Sequence, residues 1–187
     1  MTTESYFDEK REEIIAYGFK RGKVILISIT VTLIVGILFG ILFQSIVFML
    51  AFCLLRRYAG GYHADSQKKC YVISFAVIVI AFWLIKTLPY NIIADISINV
   101  SCLMLILFLA PIENQNHQLE TNERKEYGVK TKIIAVFISL LTVFFRYMGL
   151  NNIIIPILMA FLIVSISLIL GYIKNAKQKN IYPAKFE

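Results

Sequence analysis

Long apolar runs alternate with short polar windows along this chain. Val24 to Leu55 holds no charged residue over 32 positions. One helix of that length would rise about 48 Å, against a hydrocarbon core about 30 Å thick. A hairpin of two short spans fits better, turning near Phe43-Gln44-Ser45, with one half re-entrant or shielded by protein. Residues 56–70 form a polar loop. Tyr71 to Leu88 predicts a third span, closed by the turn signal Pro89-Tyr90-Asn91. Ile92 to Leu109 predicts a fourth. Residues 110–132 are polar again. A fifth span runs from Ile133 to about Phe145, or past Arg146 to Leu150. Ile153 to Ile173 is the sixth, with Pro156 near its start, where a helix has no internal donor to lose. A basic tail covers 174–187.

The N-terminal segment, residues 4–21, carries acids early and bases late, which suits a helix dipole. Phe7, Ile14, Ile15 and Phe19 share roughly one face, which fits an interfacial amphipathic helix or a solvated lead-in helix. The pattern as a whole predicts an all-α polytopic membrane protein. It has about six transmembrane or partly re-entrant helices plus that N-terminal helix, in one domain over 1–187.

Composition sharpens this. The chain is 58% hydrophobic, above the roughly 45–50% of a soluble domain. Its net charge of +7 suggests no nucleic acid, because the basic residues flank the apolar runs and form no stripe. Of 19 Lys and Arg, all but Lys86 and Arg146 fall in the N-terminus, the two polar loops and the tail. The positive-inside rule then puts both termini and both loops in the cytoplasm. No cleavable signal peptide is visible. Gly36 and Gly40 form a GxxxG, read as a close helix contact or as the face of a homodimer. Asp95 and Asn99 lie one turn apart at the start of the fourth span; Asp95 is expected to be hydrated at the membrane edge.

The polar window 56–70 gathers most of the candidate chemistry. It holds His63, Cys70, the pair Gly60-Gly61, and the cations Arg56, Arg57, Lys68 and Lys69. A thiol, an imidazole and local positive charge are the ingredients of an activated cysteine. On a continuous helix His63 and Cys70 would be separated by about 10.5 Å of rise, beyond hydrogen-bond reach, so a catalytic pair requires the segment to fold back. Two other readings stand on spacing alone: Cys70 as a juxtamembrane acylation site, and Gly60-Gly61 as a plain turn. Cys53 and Cys102 lie in apolar runs and read as packing residues. His117 reads as solvated. No HExxH, GxSxG or zinc-binding Cys pattern occurs, so neither a metal nor a cofactor is expected. A non-enzymatic membrane transporter or assembly protein is the competing class.

Arg57-Tyr-Ala-Gly60-Gly61-Tyr-His63-Ala64, followed by Cys70, resembles the signature of the accessory gene regulator B family. Ala110-Pro111-Ile112-Glu113-Asn114 resembles the family's Pro-x-Glu-Asn stretch, although His117 stands where the family usually has a Lys. The resemblance covers essentially the whole chain. It implies a bacterial membrane endopeptidase that processes a quorum-sensing propeptide, an AgrD-like amphipathic propeptide cleaved near its C-terminus. On that resemblance Cys70 is the nucleophile and His63 the general base. A thioester on Cys70 is then resolved by an internal Cys or Ser of the peptide, giving a macrocyclic thiolactone or lactone. Because the released tails in the family are typically acidic, Arg56 and Arg57 are candidates to dock one, with Lys68 and Lys69 as ordinary anchors. Glu113 is a candidate to orient His63, beside Asn114 in the second motif.

Overall fold

The computed structural model describes residues 3–62, 66–89, 91–112 and 121–181. His63, Asp65, Tyr90, Glu113, Asn114 and His117 lie outside them. The described residues form six helices: α1 (Thr3–Phe39), α2 (Leu42–Ala59), α3 (Gln67–Thr87), α4 (Ile92–Leu109), α5 (Thr121–Tyr147) and α6 (Asn151–Ile181). Each contains a segment long and apolar enough to cross a membrane. Helices are the physical answer here, because lipid offers backbone N–H and C=O groups no partners.

The chain folds as an all-α polytopic membrane protein. The first apolar run is a hairpin, as expected, but it turns at Gly40-Ile41 and not near Phe43-Gln44-Ser45. Gly40 adopts φ +70°, its N–H donates to the Ile37 carbonyl (3.0 Å), and the Ile41 N–H donates to the Gly36 carbonyl (2.9 Å). These two bonds make a Schellman stop, which favours glycine at the left-handed position. Ser45 is instead buried in α2. A Cβ on Gly36 would overlap its hydroxyl, so the GxxxG is spent on the α1–α2 contact and gives no support to a homodimer. The N-terminal segment is helical and continues without a break into the first span.

At the other connections, Asn91 Oδ1 accepts from the N–H groups of Ile93 (3.0 Å) and Ala94 (3.5 Å) to start α4. α3 starts on Ser66, whose hydroxyl accepts from Lys69 N–H at 3.3 Å. α3 therefore begins at Gln67, inside the stretch expected to be loop.

α6 is the axis of the bundle. Residues 154–161 are all buried, and α6 packs against α2, α4 and α5, with a lighter contact to α3. α1 packs on α2 and α3. Phe48, Phe82 and Phe161 fill the interior, Phe48 meeting Phe82 edge-on at 5.6 Å. Outward residues such as Leu38 and Phe108 are exposed and apolar, as a lipid-facing surface requires.

Asp95 does not stand exposed at the membrane edge. It is buried and paired with Arg146 at 3.2 Å, because α5 ends against the start of α4; Arg146 also donates to Asn151 at 3.0 Å. Lys86, at the same end of the bundle, donates to the Phe39 carbonyl at the end of α1 (3.0 Å).

Candidate active site

The opposite end of the bundle carries the motif residues. α2 continues through Arg56 and Arg57 to Ala59, then stops on two glycines with positive φ, Gly60 (+71°) and Gly61 (+118°). Side chains are excluded here as well as disfavoured. A Cβ on Gly60 would overlap the Ile112 carbonyl oxygen, and one on Gly61 would overlap the Arg56 guanidinium. The chain can make this turn only where no side chain intrudes.

Ile112, just past α4, lies parallel to Gly60 in an isolated bridge. Its N–H donates to the Ala59 carbonyl (3.0 Å), and its carbonyl accepts from Gly61 N–H (3.4 Å). The two motifs, about fifty residues apart in sequence, are therefore joined backbone to backbone. Glu113 and Asn114 follow Ile112 directly, and His63 follows Tyr62. Pro111 packs on Gly128 of α5, where a Cβ would come within 3.2 Å of the ring. Tyr58 and Tyr127 rings meet at 5.6 Å, tying α2 to α5.

Arg56 is the electrostatic centre of the turn. Its guanidinium donates to the Gly60 carbonyl, to Ser167 Oγ (2.7 Å) and to the Tyr62 carbonyl (2.5 Å). It sits in the last turn of α2, where a cation meets unpaired carbonyls. Tyr62 N–H in turn donates to the Ser167 carbonyl (2.9 Å) and lies 3.2 Å from Ser167 Oγ. Both backbone polar groups of Tyr62 are thus held. Arg57 points outward, exposed, over the Tyr58 ring at 5.5 Å.

Cys70 is the fourth residue of α3, half-buried, with a free thiol. Its N–H closes the first helical turn on the Ser66 carbonyl (3.0 Å). It therefore sits in the first turn of α3, at the positive end of a helix. Ser66 is extended (φ −130°, ψ 146°), so the helix that carries Cys70 starts at Gln67 and does not continue back through Ser66. Among the described residues, no three His, Cys, Asp or Glu side chains come together to hold a metal.

A family model described as accessory gene regulator B matches residues 1–174. The chain belongs to that family. Among curated relatives it is similar to a protein named AgrB-like from Clostridium perfringens (strain SM101 / Type A), 27% identical over 79% of this chain and 74% of the relative. A second AgrB-like protein, from strain 13 / Type A, is 25% identical over the same shares. A third, from that strain, is 30% identical over 58% of this chain and 56% of its own length. No solved structure matches.

Neither of the two motifs includes a residue of α6. Sequence reasoning missed Ser167 and Gly171, which support the loop. The available signal is a serine and a glycine four apart in an apolar span, a spacing that puts both on one helix face. Cys53 faces outward and Cys102 is buried; neither lies in the joined loops. The family carries a role in accessory gene regulator quorum sensing and propeptide processing.

Proposed function

We propose that this chain is a cysteine endopeptidase of the bacterial cell membrane, acting on an amphipathic propeptide. Cys70 is its nucleophile and His63 its general base. The reading is supported above all by the backbone junction of Gly60-Gly61 with Ile112, which joins the described parts of the two motifs.

In the first step the Cys70 thiol proton passes to the His63 imidazole, and sulfur bonds to the scissile carbonyl carbon. The C–N bond breaks, and His63 returns the proton to the departing amine of the C-terminal fragment. The N-terminal part of the peptide is left as a thioester on Cys70. In the second step a Cys thiol or Ser hydroxyl of the same peptide gives its proton to His63 and attacks the thioester carbon. Cys70 leaves, regains the proton, and a thiolactone or lactone ring is released. Tethering raises the effective concentration of the internal nucleophile over water.

Glu113, next in the chain after Ile112, is the carboxylate proposed to orient His63, the role of the carboxylate in a triad. Exposed Arg57 is the docking cation for an acidic tail, whereas Arg56 organises the turn. The strong charge bias orients the protein with both termini and this end in the cytoplasm.

The test is reconstitution in liposomes with the propeptide encoded beside the gene, comparing wild type, Cys70→Ala and Cys70→Ser by mass spectrometry. Cleavage by wild type alone, with a hydroxylamine-labile peptide adduct on Cys70, is expected. Equal processing by Cys70→Ala would remove Cys70 as nucleophile.

A further inference from the structure

The loop that leads into His63 is fastened to α6 as well as to the second motif. Ser167 offers two atoms to it. Its carbonyl accepts from Tyr62 N–H at 2.9 Å, and its hydroxyl meets Arg56 at 2.7 Å and Tyr62 N–H at 3.2 Å. One turn further, Gly171 is buried, and its missing side chain is what lets the loop lie against the helix. A Cβ there would come within 2.9 Å of both the Gly61 carbonyl carbon and the Tyr62 nitrogen, backbone atoms that cannot swing aside. A helix bearing no motif thus fixes the residue immediately before the general base.

We propose that Ser167 and Gly171 are positioning residues for His63, acting through Arg56 and the Gly61-Tyr62 backbone. The catalytic half of this inference rests on the cysteine endopeptidase reading; the structural half does not. Ser167 keeps its carbonyl in any variant, so its hydroxyl controls Arg56, and Gly171 controls how closely the loop approaches. Neither residue is assigned a substrate contact, so their loss is expected to fall on kcat and to leave KM nearly unchanged.

Two measurements on the full chain in lipid nanodiscs test the idea. The first is hydrogen exchange at the Tyr62 amide, which needs no activity. Ser167→Ala and Gly171→Ala are each expected to speed it by about tenfold, the equivalent of one weakened hydrogen bond. Ser165→Ala, two residues earlier and bonded to the Cys102 carbonyl (3.4 Å), is expected to leave Tyr62 unchanged. The second is propeptide cleavage. Ser167→Ala is expected to lower kcat by about tenfold or more at nearly constant KM, since small misplacements of a catalytic group carry large rate losses. Ser167→Thr, which restores a hydroxyl, recovers most of it.

Unchanged Tyr62 exchange in both Ser167→Ala and Gly171→Ala would overturn the proposal, whatever the activity. Faster exchange with full kcat in both variants would overturn the positioning role. If wild type itself cleaves no propeptide while exchange responds as expected, the endopeptidase reading fails and the α6 clasp stands.

Discussion

Replacing Gly60 with alanine probes the junction most directly. Gly60 has φ +71° and ψ −143°, a region held essentially by glycine alone, and an alanine forced into it costs about 1–3 kcal/mol. The new Cβ would also overlap the Ile112 carbonyl oxygen. Ile112 must move, and two backbone hydrogen bonds go with it, Ile112 to Ala59 at 3.0 Å and Gly61 to Ile112 at 3.4 Å. At about 0.5–1.5 kcal/mol each, the summed local penalty is about 2–6 kcal/mol. That is enough to part the two loops without dismantling helices that meet elsewhere along their length. Gly149 is the matched control. Its φ is +72°, but nothing lies within 4 Å of where a Cβ would stand, so Gly149→Ala carries only backbone strain. In nanodiscs, Gly60→Ala is expected to lose about 100-fold or more in propeptide cleavage, as misplaced catalytic groups do, with its helical content retained by circular dichroism. Gly149→Ala should stay near wild type. Full activity in Gly60→Ala, or equal losses in both variants, would refute the argument that close approach to Ile112, and not positive φ alone, makes the site.

Other perturbations separate the remaining roles. Arg57→Glu should raise KM for an acidic-tailed propeptide by about tenfold at low salt, with a smaller effect as salt rises; unchanged KM would exclude docking by this residue. Asp95→Ala and Arg146→Ala should each lower stability by about 2–3 kcal/mol, because either leaves a largely buried charge without its counter-charge. The double variant should recover part of that in thermal unfolding, and strictly additive losses would show that the 3.2 Å pair carries no coupling. Gly36→Leu should destabilise the α1–α2 hairpin by about 1–3 kcal/mol through overpacking against Ser45, with no change of mass in light scattering. A fall in mass would instead place Gly36 between copies.

The spans are readable because lipid demands uninterrupted apolar helices, and Val24–Leu55 is simply too long to be one. The ends are not. Polar residues at 56–59 and 67–70 read as loop, yet α2 runs to Ala59 and α3 starts at Gln67, since polarity marks the membrane edge and not the helix end. Likewise Gln44 and Ser45 look like a turn, while the turn belongs to Gly40, and Ser45 is buried against Gly36 with its hydroxyl donating to the Leu42 carbonyl at 2.7 Å. Asp95 reads as an edge residue because its partner, Arg146, is 51 positions away. The glycine pair and Cys70 are legible as a motif. Ser167 and Gly171 are not, because their role exists only once α6 meets the loop.

α3 is held mainly at its far end, where Ala81, Phe82 and Ile85 are buried, while Val72 (69% exposed) and Phe75 (52%) near Cys70 face outward. Lys68, Lys69, Val72 and Ile73 line a shallow depression there. On the proposed reading, this side of the site would open onto the headgroup boundary and not onto bulk water. A peptide already adsorbed at that boundary would reach Cys70 by lateral diffusion, with its search confined to a plane. Turnover would then follow the amount of peptide per unit of membrane area, so diluting both molecules with extra lipid should slow processing even at constant bulk concentration.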